Sequence, residues 1–238
     1  MWLIKYNYMV GFNLEKIPNL GLIYLLVAIV FLLISYPFFL TSGLEIVPFV
    51  FINLVIPFLA VYLAADHKRN LFVAIALAIP LGVISWVRFI NPTETVIALQ
   101  YVFGIIFYVF AFYVVLHQII QKDVVTIDII VGSIAAYLMI GLLWASIYAL
   151  ISLLVPESFA LNGDVIQNHQ SQTSFIYYSF VTLSNLGYRD ITPFSHFSKS
   201  FSILESVSGV MFTAIVVGRV IGLYVAEKGH SVFEKVLK

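Results

Sequence analysis

Apolar runs of about 20 residues recur along the whole chain, and each is long enough to cross a hydrocarbon core about 30 Å thick as a helix. They read as six spans: Leu20 to Leu40, Ile46 to Ala65, Leu71 to Ile90, Val96 to Ile120, Ile127 to Leu154 and Ser200 to Val225. Polar breaks separate the first five: Thr41-Ser42-Gly43, Asp66-His67-Lys68-Arg69-Asn70, Asn91-Pro92-Thr93-Glu94 and Gln121-Lys122-Asp123. Pro48 and Pro57 fall within the second span, where a packed membrane helix tolerates proline. The composition is 62% hydrophobic and 10% charged, too little polar surface to keep a soluble domain of this length in solution. The fold class that follows is an all-α membrane protein of six transmembrane helices, with a re-entrant helix between the fifth and the sixth.

Charge placement orients these spans. With the N-terminus in the cytoplasm, the inner side receives Lys5, Lys16, Lys68, Arg69, Lys122, Lys228, Lys235 and Lys238, and the outer side only Arg88, Arg189 and Lys199. Arg219 lies near the inner end of the sixth span. This is the positive-inside bias, so both termini of a multi-pass protein are expected in the cytoplasm, with the lipid bilayer as a partner. Met1 to Leu20 carries polar breaks and no small-residue cleavage site, so it reads as an interfacial segment rather than a signal peptide. Arg88, near an outer helix end, is expected to snorkel to the headgroups.

Several function classes fall away. The formal net charge is zero, which gives no footprint for nucleic acid. Without cysteine there is no disulfide, thiolate metal site or cysteine nucleophile. His67, His117, His169, His196 and His230 fall in different segments and lack metal-ligand spacing. No Ser/His pair, metal cluster or acid pair sits at one depth with helical spacing, which argues against an enzyme. No inverted repeat is evident, which argues against common transporter folds.

The interval between the last two spans is different in kind. Pro156 to Thr173 is polar, and Phe175 to Leu186 is an apolar, aromatic stretch too short to span. A re-entrant helix is the natural reading, and it requires protein or water to cover its end. The motif there is Tyr178-Ser179-Phe180-Val181-Thr182-Leu183-Ser184-Asn185-Leu186-Gly187-Tyr188-Arg189-Asp190-Ile191-Thr192-Pro193. It resembles the pore signature of potassium channels, F-V-T-L-T-T-V/L-G-Y-G-D-I-T-P. Weaker resemblance takes in Val125-Thr126-Ile127-Asp128 and Trp144-Ala145-Ser146-Ile147-Tyr148 upstream. Downstream it takes in Ser202, Ser206, Gly209 and Gly218-Arg219-Val220-Ile221-Gly222-Leu223. In this form the chain is similar to bacterial six-span ion channels with a potassium-channel-type pore and no large soluble domain. The resemblance covers Val125 to Ala226; the first four spans match only in hydropathy.

Hydropathy and charge divide the chain into an interfacial segment over 1–19, a four-helix region without voltage-sensor charges over 20–124 and a short cytoplasmic tail over 227–238, and the resemblance implies a pore domain over 125–226. It implies a selectivity filter formed by Asn185, Leu186, Gly187, Tyr188 and Arg189, with support from Thr182, Ser184, Asp190 and Glu205, and Gly209 as a gating-hinge candidate. It further implies a tetramer in the cell (inner) membrane, a homotetramer with mixed assembly left open. The transported species is a monovalent cation, potassium in the first instance, with no other cofactor or metal. The chemistry behind the motif is general. A ring of backbone carbonyls replaces an ion's hydration shell, glycine permits the positive φ that such a loop needs, and the C-terminal end of a re-entrant helix favours a cation.

The filter departs from T-V-G-Y-G at two positions. Asn185 stands where the pattern has threonine, and its amide oxygen remains able to face a cation. Arg189 stands at the outer glycine, where a side chain at positive φ costs about 1–2 kcal/mol per subunit. Four arginines at the mouth would repel cations unless Asp190 or Glu205 paired with them. Glu205 alternatively makes a structural hydrogen bond behind the filter, and Gly209 alternatively serves close packing. Asp128 reads as a helix cap. No basic residue lies between Val96 and Ile120, so the fourth span is not a voltage sensor. The residues after the sixth span are expected to be too few for a gating domain. The competing reading is a non-conducting pore homologue that acts as a regulatory or assembly subunit, for which Arg189 is the argument.

Overall fold

The computed structural model describes residues 20–41, 50–64, 68–121, 126–165 and 172–236. The interfacial segment at 1–19, Pro48, Ser42-Gly43, Asp66-His67, Lys122-Asp123 and His169 lie outside the described residues. The chain is mostly helical: α1 (Leu20–Thr41), α2 (Ile56–Ala64), α3 (Lys68–Ile90), α4 (Glu94–Ile120), α5 (Ile127–Leu154), α6 (Gln172–Leu183) and α7 (His196–Val236). Among the described residues, α1, α3, α4, α5 and the His196–Leu223 part of α7 are long and apolar enough to cross a membrane. The second expected span differs. Its described part is a shorter apolar helix, Phe51–Tyr62, and so is the Ser174–Leu183 part of α6.

Proline accounts for the irregular entry to α2. A π-helical turn, Phe51–Val55, precedes it, and the Ile56 N–H donates to the Phe51 carbonyl five residues back. The next donor in that register would be residue 57, a proline without an N–H. Tyr108 of α4 gives its hydroxyl to the Ile52 carbonyl that is left over. Beside it, Asn53 is fully buried, and a Cβ on Gly104 would stand 3.0 Å from the Asn53 amide oxygen. The π-helical turn and the small residue together bring this segment into contact with α4.

Two arginines are used internally. Arg88 does not simply snorkel: it donates to Gln100 Oε1 at 3.0 Å, and Gln100 Nε2 donates to Ser85 Oγ at 2.7 Å. The guanidinium also lies 5.7 Å from the Tyr101 ring centroid, within cation–π range. The buried Gln100 thus takes up the guanidinium between α3 and α4. Arg219 of α7 donates to the Ile120 carbonyl at 2.6 Å. A cation at a helix C-terminus satisfies an orphan carbonyl and complements the dipole, so this contact ties α7 to the end of α4.

α5 is the hub. It packs against α4, α1, α6 and α7. Of its spanning window 56% is buried, against 6% for α7. Thr126 is the N-cap of α5, and Asp128, in its first turn, favours the positive end of the dipole. α7 runs without a break to Val236, so residues 227–236 continue the helix beyond the expected end of the span.

Three short strands lie between α5 and α7: β1 (Phe159–Leu161), β2 (Asp164–Val165) and β3 (Ile191–Pro193), in the order β2-β1-β3. Both pairings are antiparallel. Leu161 faces Asp164, leaving Asn162 and Gly163 as a two-residue turn with φ of 52° and 94°. That is the Asn-Gly signature of a type I′ hairpin. The polar stretch after Pro156, read above only for its polarity, therefore contains strands.

Candidate pore loop and its supports

α6 ends in a Schellman motif. The Asn185 N–H donates to the Thr182 carbonyl at 3.0 Å and the Leu186 N–H to the Val181 carbonyl at 3.0 Å. Asn185 occupies the left-handed position of that motif, with φ of 58°. Asparagine is among the few non-glycine residues that tolerate it. This gives Asn185 a local reason for replacing threonine that sequence reading missed. Its amide oxygen accepts from the Ser206 hydroxyl of α7 at 2.8 Å, which ties the residue to α7 and leaves the oxygen a second lone pair. Ser206 also lies 3.3 Å from the Thr182 carbonyl. The Ser184 hydroxyl turns back on its own helix and donates to the Phe180 carbonyl at 2.5 Å.

Beyond Asn185 the hand of the backbone alternates. Gly187 and Arg189 have φ of 62° and 67°, whereas Leu186 and Tyr188 are not among the positive-φ residues. Arg189 thus adopts the conformation expected of the position, with its strain. A Cβ on Gly187 would meet nothing within 4 Å, so glycine is required there for backbone hand and not for space. Leu186 and Tyr188 are large side chains left 59% and 65% exposed. Asp190 faces the Tyr177 hydroxyl of α6, and its carbonyl accepts from the Asn162 N–H at 2.7 Å.

Glu205 is fully buried. Tyr148 of α5 donates its hydroxyl to Oε2 at 2.5 Å. Ser179 of α6 lies 2.5 Å from Oε1 and 2.7 Å from the Gly141 carbonyl. One carboxyl group therefore joins α5, α6 and α7. Its oxygens are taken up there, so of the two pairings weighed for Arg189 the one with Glu205 is not made. Ser202 and Tyr178 share a hydrogen bond of 2.6 Å. A Cβ on Gly209 would collide with the Leu183 carbonyl oxygen, which is backbone and cannot swing aside. Ser198, Ser202, Glu205, Ser206 and Gly209 form a stripe of helical neighbours on α7, and through most of it the helix meets α6. This geometry gives Gly209 a packing role, whatever it contributes to bending.

Tyr148, Ser179 and Gly141 were not singled out as supports from sequence. Tyr148 sits in an aromatic cluster, its ring centroid 4.9 Å from Tyr178 and 5.7 Å from Phe159. A Cβ on Gly141 would come within 2.7 Å of the Phe180 ring, so this glycine lets α6 approach α5. Among the described residues no group of His, Cys, Asp and Glu is placed to hold a metal ion.

Residues 136–226 match a family model described as ion channel. The matched stretch runs from the middle of α5 through α6, the loop and β3 into α7. No curated protein and no solved structure matches the chain. Helices long and apolar enough to cross a membrane flank the loop, and the match over residues 136–226 supports a transmembrane ion channel rather than an enzyme.

Proposed function

We propose that the protein is a tetrameric cation channel of the potassium-channel superfamily, passing potassium or, less selectively, monovalent cations through Asn185 to Arg189. In this reading it is a multi-pass protein of the inner membrane with six spans, both termini cytoplasmic and α6 re-entrant. Residues 125–226 are the pore, 20–124 a region without voltage-sensor charges, 1–19 interfacial and 227–238 cytoplasmic.

The observation that carries the reading is the alternating hand of the backbone after a short apolar helix. In a regular strand successive carbonyls point to opposite sides; alternation of hand turns them the same way, the arrangement that desolvates an ion when several loops share an axis. A single chain supplies one wall of such a site. Leu186 and Tyr188 are exposed, and so is the face of α7 that carries Ile203, Val207, Val210 and Met211. Neighbouring copies around a closed axis would cover them.

Mass measurement of the purified protein in detergent is expected to give a tetramer; a stable monomer or dimer would remove the shared axis. Currents are expected to change little over about ±100 mV, because α4 carries no arginine or lysine and each gating charge is worth about 2.3 kcal/mol per 100 mV. A steep conductance–voltage curve would show the first four helices to be a sensor.

A further inference from the structure

The strand that leaves the pore loop is fastened along its length to the outer hairpin. Phe159, Ala160 and Leu161 pair with Pro193, Thr192 and Ile191. The ladder is extended at both ends. The Asn162 N–H donates to the Asp190 carbonyl at 2.7 Å, and the Ser158 carbonyl accepts from the Phe194 N–H at 2.8 Å. The Ser158 carbonyl also accepts from the Ser198 hydroxyl at 2.6 Å, at the start of α7. The hairpin is itself anchored: Phe159 is buried, with ring centroids 4.7 Å from Phe175 and 5.5 Å from Tyr178. The bond nearest the loop comes from Asn162, the first residue of the turn, and lands one residue after Arg189.

Arg189 is the one residue of the loop whose left-handed backbone has neither a glycine nor a helix-capping motif to favour it. Such a conformation persists where the surroundings over-determine it. We propose that the hairpin Phe159–Val165 is a strap that positions the outer end of the pore loop, holding Arg189 and Asp190 in place through the Asn162–Asp190 bond and the β1–β3 ladder. Its effect on conduction rests on the channel reading above; its effect on the backbone does not.

Gly163 offers a clean test. Its φ is 94°, and a Cβ there would meet nothing within 4 Å, so a substitution acts through the turn and not through a clash. Gly163→Val disfavours the turn, whereas Gly163→Asn keeps a residue type that adopts positive φ. The full-length protein in nanodiscs is followed by amide hydrogen exchange over residues 187–195, and in bilayers by the potassium–sodium reversal potential. Gly163→Val is expected to speed exchange in that stretch about tenfold and to shift the reversal potential, with Gly163→Asn close to wild type in both. Wild-type exchange in Gly163→Val overturns the strap. So does loosened exchange with an unchanged reversal potential in a conducting protein. A wild-type protein that passes no cation, yet shows the tenfold exchange difference between the two variants, overturns the channel reading and leaves the strap supported.

Discussion

Arg189→Gly is expected to raise potassium conductance, potassium-over-sodium selectivity, or both. The wild-type residue holds φ at 67°, a conformation that costs a residue with a Cβ about 1–2 kcal/mol and glycine almost nothing. In a symmetric pore that strain is repeated in every subunit. The charge acts in the same direction. A guanidinium stays protonated at any accessible pH, and a mouth walled by low-dielectric protein screens it less than bulk solution does. Glu205 cannot relieve it, because its carboxyl is committed to Tyr148 and Ser179. Recordings from the purified variant beside wild type measure both quantities. A wild type already strongly selective for potassium, with conductance and selectivity unchanged in Arg189→Gly, would refute this account of the arginine.

The second large effect is expected at Glu205, and it is one of stability. Replacing it by leucine deprives the buried Tyr148 hydroxyl of its acceptor and removes the link from α7 to Ser179. Ser179 keeps the Gly141 carbonyl, so the greater loss falls on Tyr148. Unsatisfied buried groups cost about 1–3 kcal/mol each, and the sum should approach about 3 kcal/mol. At about 2–4 °C per kcal/mol for a chain of this size, Glu205→Leu should melt about 6–12 °C below wild type. Glu205→Gln keeps the shape, offers an acceptor to Tyr148 and a donor to Ser179, and should melt within about 3 °C of wild type. Equal losses in the two variants would mean that charge, and not the hydrogen-bond pattern, is what the site requires.

What could be read from sequence was what depends on short-range pattern. Apolar run length marked the long helices, and the interval too short to span marked α6, because both follow from helix rise and bilayer thickness. The left-handed Arg189 was legible from its place in the motif. Less legible were features that depend on which groups meet in space. Glu205 looked equally able to reach the mouth or the back of α6 until Tyr148 and Ser179 were found on either side of it. That Asn185 also terminates a helix was not legible, because that role depends on the bonds to Thr182 and Val181. The π-helical turn before Pro57 requires a hydroxyl from α4, some 50 residues away in sequence. The hairpin was a different case: Asn162-Gly163 is a strong local turn signal, lost within a stretch read only for its polarity.

The most direct measurement of the central claim is ion flux into liposomes reconstituted with the purified protein. Uptake of potassium should rise in proportion to the protein added, with sodium following more slowly or equally, and should need no voltage step to begin. A folded, tetrameric preparation that carries no more potassium or sodium than protein-free liposomes would contradict the claim, and would make the protein a non-conducting partner for other pore subunits.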